Sequence, residues 1–144
     1  MTAVREAIFA EIEKRLIDIT GVEEVERMPN QDPVLFNALH IWDGGHQPIE
    51  SECGGQRYRL SVTIEGYHEQ AGGAAAHAEL NNLYSDAVSA LLTDPPLGGL
   101  AETIDEGEYR PPQIAPLTSK ARLTFSFDLD IEFSTVRGRP DQAA

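Results

Sequence analysis

His40, Asp43 and His46 are the side chains best spaced to do chemistry. The run His40-x-x-Asp43-x-x-His46 brings two imidazoles and a carboxylate close together, the donor types that hold a transition metal. A strong site also needs a further ligand at fixed spacing and partners that orient the first set. Neither accompanies this run, and Asp43-Gly44-Gly45 reads as a turn, so these are expected to be loop histidines. Cys53 is the sole cysteine and sits beside Glu50 and Glu52. Neighbouring acids favour the protonated thiol, which is a weak nucleophile. No serine lies in a G-x-S-x-G elbow. The glycine pairs at 44–45, 54–55, 72–73 and 98–99 lack the spacing of a phosphate-binding loop and read as turns. The adjacent acids Glu23/Glu24 and Asp105/Glu106 border turns or weak strands, a poor setting for an acid–base dyad. No catalytic residue, metal ligand or cofactor site is assigned, and the chain is not read as an enzyme.

The elements that would position these residues follow from hydrophobic periodicity. Val4, Ala7, Ile8, Ile12, Leu16 and Ile19 recur at helical spacing and predict a helix over 3–20, with Thr2 as N-cap and Gly21 as its stop. Ile17 falls opposite that stripe and is expected at the surface. A short strand over 22–28 leads into a Pro- and Asn-rich loop at 29–36. A second strand over 37–42 is followed by a long Gly-rich loop at 43–56. Tyr58, Leu60, Val62 and Ile64 alternate with Arg57, Arg59, Ser61 and Thr63, which predicts a strand over 57–67. Leu80, Leu83, Tyr84, Ala87, Val88, Leu91 and Leu92 form the apolar face of a second helix over 74–92, ended by Asp94-Pro95-Pro96. A weak strand over 100–104 precedes a Pro-rich connection at 107–117. The strongest signal is a strand over 121–133, where Leu123, Phe125, Phe127, Leu129, Ile131 and Phe133 alternate with polar residues.

The order α-β-β-β-α-β-β defines an α+β fold. Two amphipathic helices are expected on one face of a mainly antiparallel sheet of about four to five strands, with the other face polar. Residues 1–135 form a single domain, and residues 136–144 read as a flexible C-terminal tail. Pairing the two best strands antiparallel, with Arg57 opposite Asp130 and Arg59 opposite Asp128, makes each polar cross-strand pair complementary.

Composition narrows the function further. The chain has 144 residues with 24 Asp and Glu against 11 Lys and Arg, a net charge of −13 and 41% hydrophobic residues. That is a globular mixture of one-domain size. No run is long and apolar enough for a membrane span. The first residues lack the apolar core of a signal peptide, so a cytosolic protein is expected. One cysteine forms no internal disulfide. The acid excess excludes a free-standing nucleic-acid binder, because affinity for phosphates rests on Lys and Arg. No Lys or Arg occurs between Arg59 and Arg110.

The ordered series of segments resembles a known family. It opens with the helix Arg5-Glu6-Ala7-Ile8 through Leu16 and an aromatic–acidic turn at Ile41-Trp42-Asp43-Gly44. The strand Arg57-Tyr58-Arg59-Leu60-Ser61-Val62 and the helix ending Leu91-Leu92-Thr93-Asp94 follow. Next come Leu97-Gly98-Gly99-Leu100-Ala101-Glu102, the alternating strand from Ala121 to Phe133, and Arg137-Gly138-Arg139-Pro140. This series is similar to the tail terminator proteins of long-tailed phages and gene-transfer particles, the minor tail protein U type. The resemblance implies a virion protein, assembled in the bacterial cytoplasm, that forms a homo-oligomeric ring, typically a hexamer, on the head-proximal end of the tail tube. Such a ring ends tube growth and forms the head–tail joining surface, between the major tail protein and a head-completion or neck protein. DNA passes through its lumen without specific binding, and the resemblance implies no cofactor and no membrane partner.

On that reading the acidic surface repels the phosphates that pass it. The candidate lumen acids are Asp128, Asp130 and Glu132, with Glu102, Asp105 and Glu106. The candidate interface positions are Trp42, Asp43, Arg110, Arg137 and Arg139, in or beside the loops at 43–56 and 107–117 and in the tail. Two other readings stand beside it. One is a different neck or head–tail joining protein. The other is a small cytosolic ligand-binding domain or enzyme built around His40, Asp43 and His46.

Overall fold

Two helices lie across one face of a mixed sheet, and their apolar stripes dictate that arrangement. The computed structural model describes residues 2–144. Helix α1 spans Val4–Ile17 and buries Val4, Ile8, Phe9, Ile12 and Leu16. Its N-cap is Ala3, with no side-chain cap, so Thr2 does not play the expected role. Gly21 adopts φ 92 just beyond the helix and turns the chain toward the sheet. Ile17 is exposed at 47%, as its position off the stripe requires.

Strand β1 (Glu24–Arg27) pairs in parallel with β2 (Ala38–Glu52). Strand β3 spans Gly55–Gln70 and helix α2 spans Ala74–Leu91. Strands β4 (Thr103–Pro116), β5 (Ala121–Val136) and β6 (Arg139–Ala143) complete the chain. The strand order is β1-β2-β3-β5-β4, with β6 also pairing β5, and every pair other than β1–β2 is antiparallel. The α+β class and the two helices agree with the pattern in the sequence. The sheet is larger than expected, with six strands.

The added strand length comes from segments that read as loops. Residues 43–52 continue β2, and β-bulges between Asp43 and His46 and between Pro48 and Glu50 absorb the glycines and the proline. Residues 107–116 continue β4, again with bulges, between Glu106 and Tyr109 and between Arg110 and Gln113. Strand β4 is at the sheet edge, where Pro111 and Pro112 break no central ladder. Residues 139–143, expected within a flexible tail, instead pair with the end of β5.

The β3–β5 pairing is antiparallel, but its register differs by four residues from the complementary one. Arg59 stands opposite Glu132 rather than Asp128, and Arg57 opposite Ser134. An even slip keeps every side chain on its own face, so the alternation in the sequence cannot distinguish the two registers. The observed register pairs the whole of Gly55–Gln70 with the whole of Ala121–Val136. It also sets Gly66 opposite Phe125. A Cβ at Gly66 would lie 2.2 Å from the Phe125 ring, so the missing side chain makes room for that ring.

The core lies between this sheet face and the helices. Leu60, Val62, Ile64, Phe125, Phe127, Leu129, Ile131 and Phe133 are buried against Ile8, Ile12, Leu16, Leu80, Leu83 and Leu91. The helices are tied to each other at one end. Helix α2 has no basic residue in its last turn. Arg15 of α1 supplies one, donating to the Ala90 carbonyl at 3.4 Å and to the Thr93 hydroxyl at 2.7 Å.

Candidate functional site

The polar face of the sheet gathers most of the acids that the sequence singles out. On β5, Thr124, Ser126, Asp128, Asp130 and Glu132 alternate with core residues and so share one face. Arg110 of β4 donates through Nη2 to both Asp128 oxygens, at 2.7 and 2.9 Å. The Thr63 hydroxyl donates to the same carboxylate at 2.7 Å. Arg59 lies 3.8 Å from Glu132. Arg57 sits between two acids, with Nη2 2.8 Å from Glu102 and Nη1 on Glu50.

Asp130 and Asp105 are different. They stand opposite each other across β5 and β4, both are exposed, and neither has a cation partner among the described residues. Glu106 leaves this group altogether. It stands opposite the core residue Leu129, on the helix-bearing side, and accepts a hydrogen bond from the Tyr84 hydroxyl. That bond, reinforced by burial, pushes the Tyr84 phenol up to about 12. The run from Glu102 to Glu108 is therefore divided between two faces.

Four of the candidate interface residues, Trp42, Asp43, Arg110 and Arg139, lie within strands and make contacts inside the chain. Trp42 is part of β2, and its indole donates to the Glu65 carboxylate. Asp43 continues the same strand and takes both Nη atoms of Arg5, at 2.8 and 3.0 Å. Arg110 is held by Asp128 as described. Arg137 is exposed in the turn between β5 and β6, where its backbone N–H donates to the Gly54 carbonyl at 2.8 Å. Arg139 begins β6, with Nε 3.8 Å from Asp141.

The histidine run forms no convergent set. Asp43 and His46 share Arg5, whose Nε donates to Nδ1 of His46 at 3.0 Å. The hydrogen bond from Arg5 holds the Asp43 carboxyl below its ordinary range. Burial, then the charge of Arg5, lowers the His46 pKa, consistent with a neutral ring that accepts at Nδ1. His46 packs against Tyr58, with centroids 4.7 Å apart and the rings tilted by 55°. The cluster thus ties α1 to the bulge in β2.

His40 points elsewhere and reveals a feature with no signal in the sequence. Its Nε2 lies 2.9 Å from Oε2 of Glu24. The other oxygen of Glu24 accepts the backbone N–H groups of Val34, at 3.1 Å, and Leu35, at 3.3 Å. Burial raises the Glu24 pKa, but these hydrogen bonds, led by His40, outweigh it and hold the carboxyl below its ordinary range. One carboxylate therefore ties the segment 28–37, a strap beside the polar face, to the buried His40 through the backbone at residues 34 and 35. Further along, the Arg122 guanidinium lies over the Phe36 ring at 5.1 Å and 3.5 Å from Asp32. Arg122 and Lys120 also converge on Glu69, whose side chain is 8% exposed.

No family model matches the chain, and no curated protein matches it. Among solved structures, it is similar to a chain of the virion of a native gene transfer agent particle, with 14% identity and a TM-score of 0.37 over 90% of this chain and 92% of that one. Among the described residues, no helix is long and apolar enough to cross a membrane.

Proposed function

We propose that this chain is a structural virion protein that caps the head-proximal end of a tail tube as a ring, ends tube polymerisation and forms the head–tail joining surface. The ordered resemblance to tail terminators suggests the class. The observation that carries the reading here is the charge arrangement on the polar sheet face. Arg57, Arg59 and Arg110 each face a carboxylate, so their charge is compensated within the subunit. Asp105 and Asp130 remain without such compensation. A surface of that kind repels a polyanion, which suits a wall that DNA must pass without adhering.

In this role the side chains organise the subunit, and the loops and edges meet partners. The ring contacts the major tail protein on one side and a neck protein on the other. The test is assembly with the gene deleted and then restored. Particles lacking the protein are expected to carry tubes of uncontrolled length and heads without joined tails, and restoring it is expected to correct both. Normal tube lengths and normal joining in its absence would overturn the proposal. Replacing Asp105 and Asp130 together by Lys is expected to leave ring formation intact and slow DNA passage.

A further inference from the structure

Asp43 and Gly44 form the one Asp–Gly bond in the chain, and no asparagine precedes a glycine. Such a bond carries a chemical hazard. The backbone nitrogen of the glycine, unshielded by a side chain, can attack the carboxyl carbon of the aspartate. The N–Cγ bond forms, the nitrogen gives up its proton, and a carboxyl oxygen leaves as water. Water then reopens the cyclic imide. Attack at the side-chain carbonyl restores aspartate, whereas attack at the main-chain carbonyl reroutes the chain through the side chain as isoaspartate. The oxygen leaves far more readily from a protonated carboxyl than from a carboxylate, so ionisation protects the bond.

The fold requires the hazardous pair. A Cβ at Gly44 would lie 2.9 Å from the Ser61 carbonyl oxygen, a backbone atom of β3, so the close approach of the strands admits only glycine. Gly45 adopts φ 86, which again favours glycine. Both lie in the bulge between Asp43 and His46, where the register of the ladder shifts. Both glycines are exposed, and the Asp43 side chain is 25% exposed, so water reaches the bond. What opposes the reaction is Arg5. Its Nη1 and Nη2 donate to different oxygens of Asp43, at 2.8 and 3.0 Å, and the Gly45 N–H donates to Oδ1 at 2.8 Å. This fork-on-fork pairing fixes the plane of the carboxylate as well as its charge. Cyclisation needs a proton on that carboxyl and expels one of its oxygens, so these hydrogen bonds must be given up first. The hydrogen bond from Arg5 outweighs burial and holds the carboxyl below its ordinary range.

We propose that Arg5 guards Asp43 against cyclisation, and that the Asp43–Gly44 bond is a latent isoaspartate site, opened wherever α1 lifts from β2. Loss of the guard and the modification reinforce each other. Isoaspartate adds an atom to the backbone of the bulge and displaces the carboxylate that Arg5 grips, so a copy that has reacted does not regain the tie between α1 and β2. The guard acts within one subunit and is independent of ring assembly.

The test follows residue 43 by peptide mapping during prolonged incubation at neutral pH, with electron-transfer fragmentation to tell isoaspartate from aspartate. The unmodified chain is compared folded and in urea, beside Arg5→Ala and Arg5→Lys. Isoaspartate is expected to accumulate at least tenfold more slowly in the folded chain than in urea. Arg5→Ala, with its fold checked by circular dichroism, is expected to lose most of that protection. Arg5→Lys is expected to fall between the two, because an ammonium keeps the charge but not the fork. An Arg5→Ala variant that folds and stays as protected as the unmodified chain overturns the proposal and assigns the protection to strand geometry. Where Arg5→Ala fails to fold, the pH dependence of the unmodified chain decides. As pH falls toward the ordinary carboxylate range, the rate is expected to climb in urea and to stay low in the folded chain. A parallel climb in both overturns the proposal.

Discussion

Arg110 on β4 and Asp128 on β5 form an ion pair in which the single nitrogen Nη2 lies 2.7 and 2.9 Å from the two carboxylate oxygens. The pair joins the edge strand to its neighbour between the two bulges in β4. It also removes Asp128 from the set of uncompensated acids. What remains on that part of the face is Asp130, with Asp105 directly across from it.

Like charges in directly opposed positions destabilise a sheet, by roughly 0.2–1 kcal/mol per pair. Asp130→Asn and Asp105→Asn are therefore each expected to raise stability by about that amount, and the double variant by little more than either alone. Thermal melts at low and high salt check this. The gain is expected to shrink with salt, because the repulsion it relieves is exposed and screened. A loss of stability in both single variants would show that the two acids have favourable partners instead.

Gly66 and Phe125 form a second coupled pair. A methyl at position 66 would meet the ring at 2.2 Å, so Gly66→Ala is expected to cost about 1–3 kcal/mol through overpacking. Phe125→Leu vacates the space that the methyl needs. The double variant is expected to be less destabilised than the sum of its parts, which a denaturant double-mutant cycle measures directly. Away from that glycine, Phe127 is 1% exposed, and Phe127→Ala is expected to cost about 3–5 kcal/mol.

The features legible in the sequence are those set by local periodicity. The stripe from Val4 to Leu16, the face from Leu80 to Leu91 and the alternation from Leu123 to Phe133 each carry many apolar positions in phase. The extended hairpin of β2 and β3 was masked because Gly44, Gly45 and Pro48 are residues of turns, and only the bulges of the folded sheet let a strand absorb them. Pro111 and Pro112 concealed β4 in the same way, since an edge position is visible only once the sheet is built. The acids of the polar face could be placed on one side by alternation, but their compensation depends on distant partners. Arg110 reaches Asp128 from β4, in a segment that reads as a Pro-rich connection in the sequence. Glu24 looked like half of an ordinary acid pair, and its role comes from His40 and from two backbone amides on the far side of a loop.

The pH dependence of stability is expected to fall in two stages. His46 has a folded pKa below 6.5, lowered by burial and then by Arg5. The unfolded chain therefore takes up a proton there before the folded chain does, and stability is lost as pH falls through that region. Glu69 follows at lower pH. Burial raises its pKa, but the hydrogen bonds from Lys120 and Arg122 outweigh that and leave it below 4.5. Its contribution is complete above the unfolded value and disappears as pH falls through the folded one. Urea titrations across pH are expected to show both steps. Glu69→Gln is expected to shrink the lower step, to which the lowered Asp43 and Glu24 carboxyls also contribute, and to cost about 2 kcal/mol at neutral pH, the scale of hydrogen bonds to a buried charge.

Glu24 offers the sharpest local test, because its carboxylate holds the backbone of the strap directly. Glu24→Ala removes the acceptor of the Val34 and Leu35 amides, and neither amide has another partner close by in the strap. Hydrogen exchange at those two amides is expected to accelerate by at least tenfold, while the core amides of β3 and β5 keep their protection as local opening demands. Glu24→Gln keeps a carbonyl oxygen at the same place and is expected to retain most of the protection at neutral pH. In the unmodified chain the protection is expected to persist as pH falls to 4.5 and to be lost below it, because the Glu24 carboxyl is held below its ordinary range. Equal exchange rates in the Ala variant and the unmodified chain would mean that the strap is held by Phe36 and Arg122 rather than by this carboxylate.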